Sequence, residues 1–129
     1  MILLWDSAEM SVKITLVNEA GEREDLTWQA DRTLARDMLA YVRDLLTERA
    51  MSFADITAIG VFRGPGSYTG LRIGLTVLNT FAADRHIPIV GETGESWQDA
   101  SLSRIAAGEN DKIVLPEYGG DAHITKPRK

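Results

Sequence analysis

Cysteine is absent from the 129 residues, so neither a disulfide framework nor a thiolate metal site can form. Histidine is nearly as scarce: His86 and His123 stand apart, and neither has a second histidine at helical spacing with which to hold a metal. Long apolar runs are missing too; those present are too short or too interrupted to span a bilayer. The opening Met1-Ile2-Leu3-Leu4-Trp5-Asp6 lacks the basic leader and full apolar segment of a secretion signal. The expectation is a cytoplasmic chain with no membrane segment. Positive charge is in deficit, 14 Lys and Arg against 19 Asp and Glu, and a net charge of −5 argues against the body of the domain gripping nucleic acid unaided. A serine nucleophile needs a positioned base, and nothing in the sequence supplies one. What remains is 44% hydrophobic and 26% charged, an ordinary globular balance in a chain of one-domain length, long enough for a real core.

The chain is organised around Arg63-Gly64-Pro65-Gly66-Ser67-Tyr68-Thr69-Gly70-Leu71-Arg72-Ile73-Gly74-Leu75. This stretch lies between Ile56 to Phe62, of strand length and composition, and Leu71 to Ala83, of helix length and without proline. It reads as the turn where a buried strand becomes a helix. Gly64 and Gly66 permit backbone angles closed to other residues, and Pro65 stiffens the turn between them. Ser67 or Thr69 is placed to accept a hydrogen bond from an orphan amide at the helix start. Several amides converging at the positive end of the helix dipole would make an anion site. The spacing also suits a purely structural turn: no Gly-Lys-Ser/Thr of a Walker A loop follows, and the glycines are not spaced as in a dinucleotide fingerprint.

Ile2 to Trp5 predicts a strand buried on both faces. Val12 to Val17 alternates, with Val12, Ile14 and Leu16 against Lys13, Thr15 and Val17, and predicts a half-buried strand. Asp25 to Gln29 resumes the alternation with Leu26 and Trp28, giving a three-stranded antiparallel meander. A helix then runs from Asp31, its candidate N-cap, to about Ala50. Leu34, Met38, Tyr41 and Leu45 form one apolar stripe on it, and Ala35, Leu39, Val42 and Leu46 a second. Asp55 to Phe62 is the next strand, followed by a helix from about Tyr68 to Arg85. Leu71, Leu75, Leu78 and Ala82 share one face of that helix; Gly70, Gly74, Val77 and Phe81 share another, with Ile73 beside it. Mid-helix glycine costs about 1 kcal/mol relative to alanine, so Gly74 is expected to admit a close neighbour, the first helix. The two helices together are expected to leave an apolar strip facing outward, the mark of a partner on a small domain. Deep burial of the first helix in a compact core is the alternative account of its two stripes. Ile87 to Val90 predicts a further parallel-type strand, its Pro88 pointing to an edge or a strand start. Ser96 to Ala107 predicts a third helix stopped by Gly108 and Asn110, and Lys112 to Leu115 a short closing strand. The order is βββαβαβα, with residues 1–115 as one lobe and 116–129 as a basic tail carrying Lys126, Arg128 and Lys129. His86, at a helix-to-strand junction, reads as a surface or capping imidazole.

The string Gly64-Pro65-Gly66-Ser67-Tyr68-Thr69-Gly70-Leu71-Arg72-Ile73-Gly74 resembles the signature of the TsaB (YeaZ) family, partners in making the threonylcarbamoyladenosine modification of tRNA. The likeness runs from Ile2 to about Ala107 and includes the strand ending in Asp6 and the Pro88-Ile89-Val90-Gly91 segment. TsaB proteins are catalytically degenerate relatives of the TsaD enzymes in the actin-like ATPase superfamily. The resemblance therefore implies an α/β fold: a single actin-like/ribonuclease H-like lobe, a mixed five-stranded sheet with helices packed on it. Family members normally have two lobes. Here Pro116-Glu117-Tyr118 looks like the family's C-terminal ending joined straight to the first lobe, as a natural minimal form or a trimmed chain.

Because the superfamily's nucleotide lies between two lobes, no intrinsic cofactor is implied, and ATP or ADP would sit only at a complex interface. TsaD relatives hold a metal with histidines on the first helix; Asp31 to Ala50 contains none. The family's partner contact is a bundle of the first two helices of each protein, which here implies Leu34, Met38, Tyr41, Leu45, Gly70, Ile73, Gly74, Val77 and Phe81. Active members carry an aspartate and small hydroxyl residues after the first strand. Asp6-Ser7-Ala8 matches that position but lacks the accompanying glycine, and reads as a turn in which Asp6 caps local amides. Any phosphate would lie nearest Asp6, Gly64, Gly66, Ser67 and Thr69. The implied function is a non-catalytic subunit that binds and activates a TsaD-like enzyme acting on position 37 of tRNA. A TsaE-like ATPase would bind across the junction, tRNA would be met only indirectly, and in isolation the same face would form a two-fold homodimer. The alternatives are a nucleotide hydrolase or glycoprotease-like peptidase, and a tRNA-binding module using the basic tail.

Overall fold

Leu3 and Trp5 point to one side of strand β1 (Ile2–Asp6), Ile2 and Leu4 to the other, and each side finds its own cover. The computed structural model describes residues 1–30, 33–66 and 69–117. After β1 come β2 (Ser11–Val17), β3 (Arg23–Gln29), α1 (Leu34–Glu48), β4 (Ala58–Phe62), α2 (Thr69–Arg85), β5 (Ile89–Glu92) and α3 (Trp97–Ala106). The sheet order is β3-β2-β1-β4-β5. The meander β1-β2-β3 is antiparallel, while β4 runs parallel to β1 (Leu3 opposite Ile59) and β5 parallel to β4 (Ile59 opposite Ile89). Pro88 does precede an edge strand, as its lack of an N–H demands.

On the first face, α1 and α2 lie side by side over Leu3, Trp5, Val12, Ile14, Leu16, Ile59 and Val61. Burying each such side chain contributes about 1.5–3 kcal/mol. On the second face, Trp97 and Leu102 of α3 cover Leu4, Val17 and Phe62. That helix corrects the half-buried reading of β2: Thr15 is 3% and Val17 4% exposed. Gln98 of α3 donates to the Thr15 hydroxyl at 3.1 Å. The close approach is made at Gly60, where a Cβ would lie 2.9 Å from Ser101 Cβ and 2.7 Å from Leu4 Cδ2.

Several boundaries shift for local reasons. Helix α1 starts at Leu34 because pairing carries the chain on past β3, the Ala30 amide bonding the Met10 carbonyl at 3.1 Å. Asp31, the expected cap, lies outside the described residues, as do Ser67, Tyr68, His123 and the basic cluster of the tail. Strand β4 starts at Ala58 because Ser52 and Asp55 close a capping box around a short 3-10 turn, Phe53–Asp55. Ile87 lies beyond α2 and closes its end, its amide donating to the Ala82 carbonyl at 3.1 Å, so β5 starts at Ile89. Lys112 to Leu115 is not a strand. Lys112 takes φ +68°, and the Asn79 side chain holds both the amide (2.8 Å) and the carbonyl (2.9 Å) of Val114, leaving no ladder to join.

Candidate functional site

The carboxyl end of β1 meets the start of α2 through a buried hydrogen-bonded chain. Trp5 Nε1 donates to Ser7 Oγ at 2.9 Å, and Ser7 Oγ donates to the Gly70 carbonyl at 2.8 Å. Ser7 is 1% exposed, so its hydroxyl faces inward and is fully engaged. Asp6 Oδ1 accepts from the Ala8 amide at 3.0 Å, the capping turn expected of it. Burial raises the Asp6 carboxyl above its usual range, partly countered by the Ala8 amide and Lys13. Gly74 faces this chain, not α1: a Cβ there would lie 2.3 Å from Ser7 Oγ and 2.6 Å from Trp5 Nε1. The close neighbour expected from another helix is therefore β1.

The glycine turn is clasped by the end of the described chain. The Gly66 amide donates to the Glu117 carbonyl at 3.1 Å, and the Glu117 amide to the Arg63 carbonyl at 2.7 Å. Gly64, at φ +121°, has room for no side chain, since a Cβ would meet the Glu117 oxygen at 2.1 Å. Of the amides expected to cradle an anion, that of Gly66 is thus committed internally. Thr69 is exposed at the first position of α2.

Open α/β sheets usually bind ligands beyond the carboxyl ends of their parallel strands. Here that crevice, of about 390 Å³ beside Arg63, Glu92, Arg104 and Asp111, holds an ion-pair network. Arg104 pairs with Glu92 at 3.0 Å, with Glu109 at 2.7 Å, and with Asp111. Its bonds to Asp111 and Glu109 raise the guanidinium above its usual value. Asp111 also accepts from the Gly91 amide at 2.9 Å, closing the free edge of β5. Among the described residues, no group of three or more His, Asp or Glu could hold a metal ion, and no helix is long and apolar enough to cross a membrane.

The residues implied as partner-binding fall into two sets. Leu34, Met38, Leu45, Gly70, Gly74 and Phe81 are buried in the chain's own core, because the sheet rather than a partner covers that side of both helices. A charge at Gly74 would break the core, so it cannot probe docking. Tyr41 is half-buried, stacked on Trp28 with ring centres 4.5 Å apart. Ile73 and Val77 are half-buried and, with exposed Ala35 on α1, line a groove of about 420 Å³ between the helices. Arg72 stands on its rim and also borders a second depression, of about 270 Å³, lined by Leu75, Leu115 and Pro116. Leu115 is 67% exposed. Sequence reasoning did not single out Arg72, Asn79 or Arg104. Arg72 leaves a trace, a lone charge inside the run Leu71 to Ala83; the other two act on distant residues and leave none.

Comparison with known proteins bears directly on this arrangement. The family model described as TsaD, tRNA N6-adenosine threonylcarbamoyltransferase, matches residues 28–93. The tRNA threonylcarbamoyladenosine biosynthesis protein TsaB of Escherichia coli (strain K12) is 32% identical over 129 residues, covering 93% of this chain and 55% of that protein. The Bacillus subtilis (strain 168) protein of the same name is 38% identical over 89 residues, covering 68% of this chain and 38% of its own. A crystal structure from Pseudomonas aeruginosa, described by its similarity to peptidase YEAZ, superposes with a TM-score of 0.63 at 29% identity, covering 71% of this chain and 42% of the other. This chain spans about half the length, or less, of these relatives.

Proposed function

Because the chain belongs to the TsaB (YeaZ) group of the TsaD family and folds as one α/β lobe of the actin-like/ribonuclease H-like kind, we propose that it is a non-catalytic subunit in tRNA threonylcarbamoyladenosine biosynthesis. It docks on a TsaD-like threonylcarbamoyltransferase through the α1–α2 face and holds that enzyme in its active arrangement. The observation that carries the reading is the groove lined by Ala35, Ile73 and Val77, an apolar surface that no other described part of the chain covers. An amphipathic helix laid into such a groove removes apolar area from water on both partners. The loop after β1 supports a non-catalytic role. The Ser7 hydroxyl is engaged by Trp5 and Gly70, and one Asp6 carboxylate oxygen caps its own turn, so the hydroxyl is not presented to a phosphate. A TsaE-like ATPase would bind across the junction, with ATP or ADP confined to the shared interface.

The test is co-elution with the threonylcarbamoyltransferase of the same genome. Val77→Asp puts a charge into the groove and is expected to weaken the complex at least about tenfold, given about 1.5–3 kcal/mol for burying a valine-sized side chain. Its circular dichroism should match wild type. An intact complex with Val77→Asp refutes the docking face. Turnover of ATP or peptide by the isolated chain, lost on Asp6→Ala, refutes the non-catalytic assignment.

A further inference from the structure

We propose that residues 113–117 form the second half of the docking face: they hold Ile113 and Leu115 out as two fixed apolar anchors for the same TsaD-like enzyme that the groove takes. The inference rests on the docking reading above and adds to it the surface beyond the groove.

Ile113 and Leu115 are 65% and 67% exposed, the most exposed large apolar side chains among the described residues. Singly scattered leucines are ordinary on a small protein. These two are not scattered, for they flank Val114, which is 3% exposed, on a backbone tied down at several points. Asn79 holds the amide of Val114 at 2.8 Å and its carbonyl at 2.9 Å. Arg63 donates to the Leu115 carbonyl at 3.3 Å, and the Glu117 amide donates to the Arg63 carbonyl at 2.7 Å. Val114 itself closes on Gly91, where a Cβ would lie 2.3 Å from Val114 Cγ1. An apolar side chain on a tethered backbone loses less freedom on binding than one on a loose loop. More of its burial then appears as affinity.

The segment is continuous with the groove. Depressions of about 270 Å³ and about 620 Å³ lie between α2 and, respectively, Leu115 and Ile113. Thr76 lines both of these and the groove as well, so one concave strip runs across α2 from Val77 to residues 113–115. The groove alone offers Ala35, Thr69, Arg72, Ile73, Thr76 and Val77, whereas a stable interface engages about 20–30 residues a side. A docked enzyme must therefore rest on a flank too. On the α1 flank stand Arg36, Arg43 and Asp44, exposed and charged, with Arg36 paired to Asp37 at 2.9 Å and Arg43 to Asp44 at 3.1 Å. On the other flank stand Ile113 and Leu115. Taking water from apolar side chains is favourable, and taking it from charges is costly. An enzyme seated in the groove reaches the apolar flank within the same contact.

Binding of the threonylcarbamoyltransferase of the same genome is titrated for wild type, Leu115→Asp, Ile113→Asp, Asn79→Ala and the groove variants Val77→Asp and Ala35→Asp. Self-association is followed by sedimentation equilibrium. Leu115→Asp should weaken the complex at least about tenfold, and Ile113→Asp at least about fivefold, because a charge replaces apolar area that the complex buries. Both side chains are exposed, so circular dichroism and thermal melting should match wild type. Asn79→Ala keeps both anchors but unties their backbone, and should weaken binding about two- to fivefold. It should add nothing once Ile113→Asp and Leu115→Asp are both present. Ala35 is exposed, so its variant keeps the groove testable should Val77→Asp misfold. Wild-type binding by Leu115→Asp and Ile113→Asp, alongside loss in the groove variants, overturns this inference and leaves docking on the groove standing. Wild-type binding by both folded groove variants overturns the docking reading itself. An undiminished effect of Asn79→Ala without the anchors overturns the claim that Asn79 acts by displaying them. Self-association lost in Leu115→Asp, with enzyme binding unchanged, overturns the choice of occupant in favour of a second copy.

Discussion

Replacing Gly74 with alanine sets two physical effects against each other, and their sizes decide the sign. An exposed helix would gain about 1 kcal/mol from the exchange. Here the new methyl would lie 2.3 Å from Ser7 Oγ, 2.6 Å from Trp5 Nε1 and 3.3 Å from Trp5 Cδ1. Neither neighbour can step aside freely, because Trp5 bonds Ser7 at 2.9 Å and Ser7 bonds the Gly70 carbonyl at 2.8 Å. Overpacking a core costs about 1–3 kcal/mol, and a buried polar group that loses its partner costs about 1–3 kcal/mol more. The net expectation is a loss of about 2–4 kcal/mol. In urea, with m about 2 kcal/mol/M, the midpoint should fall by about 1–2 M with m unchanged, and the Trp5 environment should change in near-ultraviolet dichroism. Ser7→Ala removes the closest obstacle, so Ser7→Ala/Gly74→Ala should lose less than the sum of the single changes, by about 0.5–3 kcal/mol. A Gly74→Ala protein as stable as wild type would refute the claim that this glycine exists for β1.

Other outcomes follow from the same packing. Ser101 Oγ is buried without a hydrogen-bond partner, so Ser101→Ala should hold stability or raise it by about 1 kcal/mol, whereas Gly60→Ala, pressed on Leu4 and Ser101, should lower it by about 1–3 kcal/mol; thermal melts distinguish the two. Asn79→Ala removes both bonds to Val114 and should speed amide exchange at Val114 and Glu117 at a cost of about 1–3 kcal/mol; unchanged exchange would deny the clasp. Asp6→Asn keeps an oxygen for the Ala8 amide and removes a carboxylate that burial disfavours. Burial raises the folded-state pKa of Asp6, so its favourable contribution is complete below the unfolded value of about 3.9 and is lost as pH rises through the folded value. Wild-type stability relative to the variant should therefore decline over that window and then level off; parallel pH profiles in urea would contradict it.

The element order and the three-strand meander were legible without coordinates because strand and helix periods are local: alternation in Val12 to Val17, helical stripes in Leu71 to Ala82, and glycine at the turn each depend on near neighbours. The signature around Gly64 to Gly74 likewise pointed to the family from contiguous residues alone. Which apolar residues face outward is not local. Helix α1 carries two apolar stripes, and only the position of the sheet decides that Leu34, Met38 and Leu45 lie inside while Ala35 stays exposed. Lys112 to Leu115 has strand composition, yet Asn79, 35 residues from Val114, takes the hydrogen bonds a strand would need. Arg72 could be read as a charge in an apolar run, but whether a carboxylate reaches it depends on every element packed around it. Sequence sets what each segment prefers; tertiary structure assigns the hydrogen bonds and the water, and those decide which surfaces remain for another molecule.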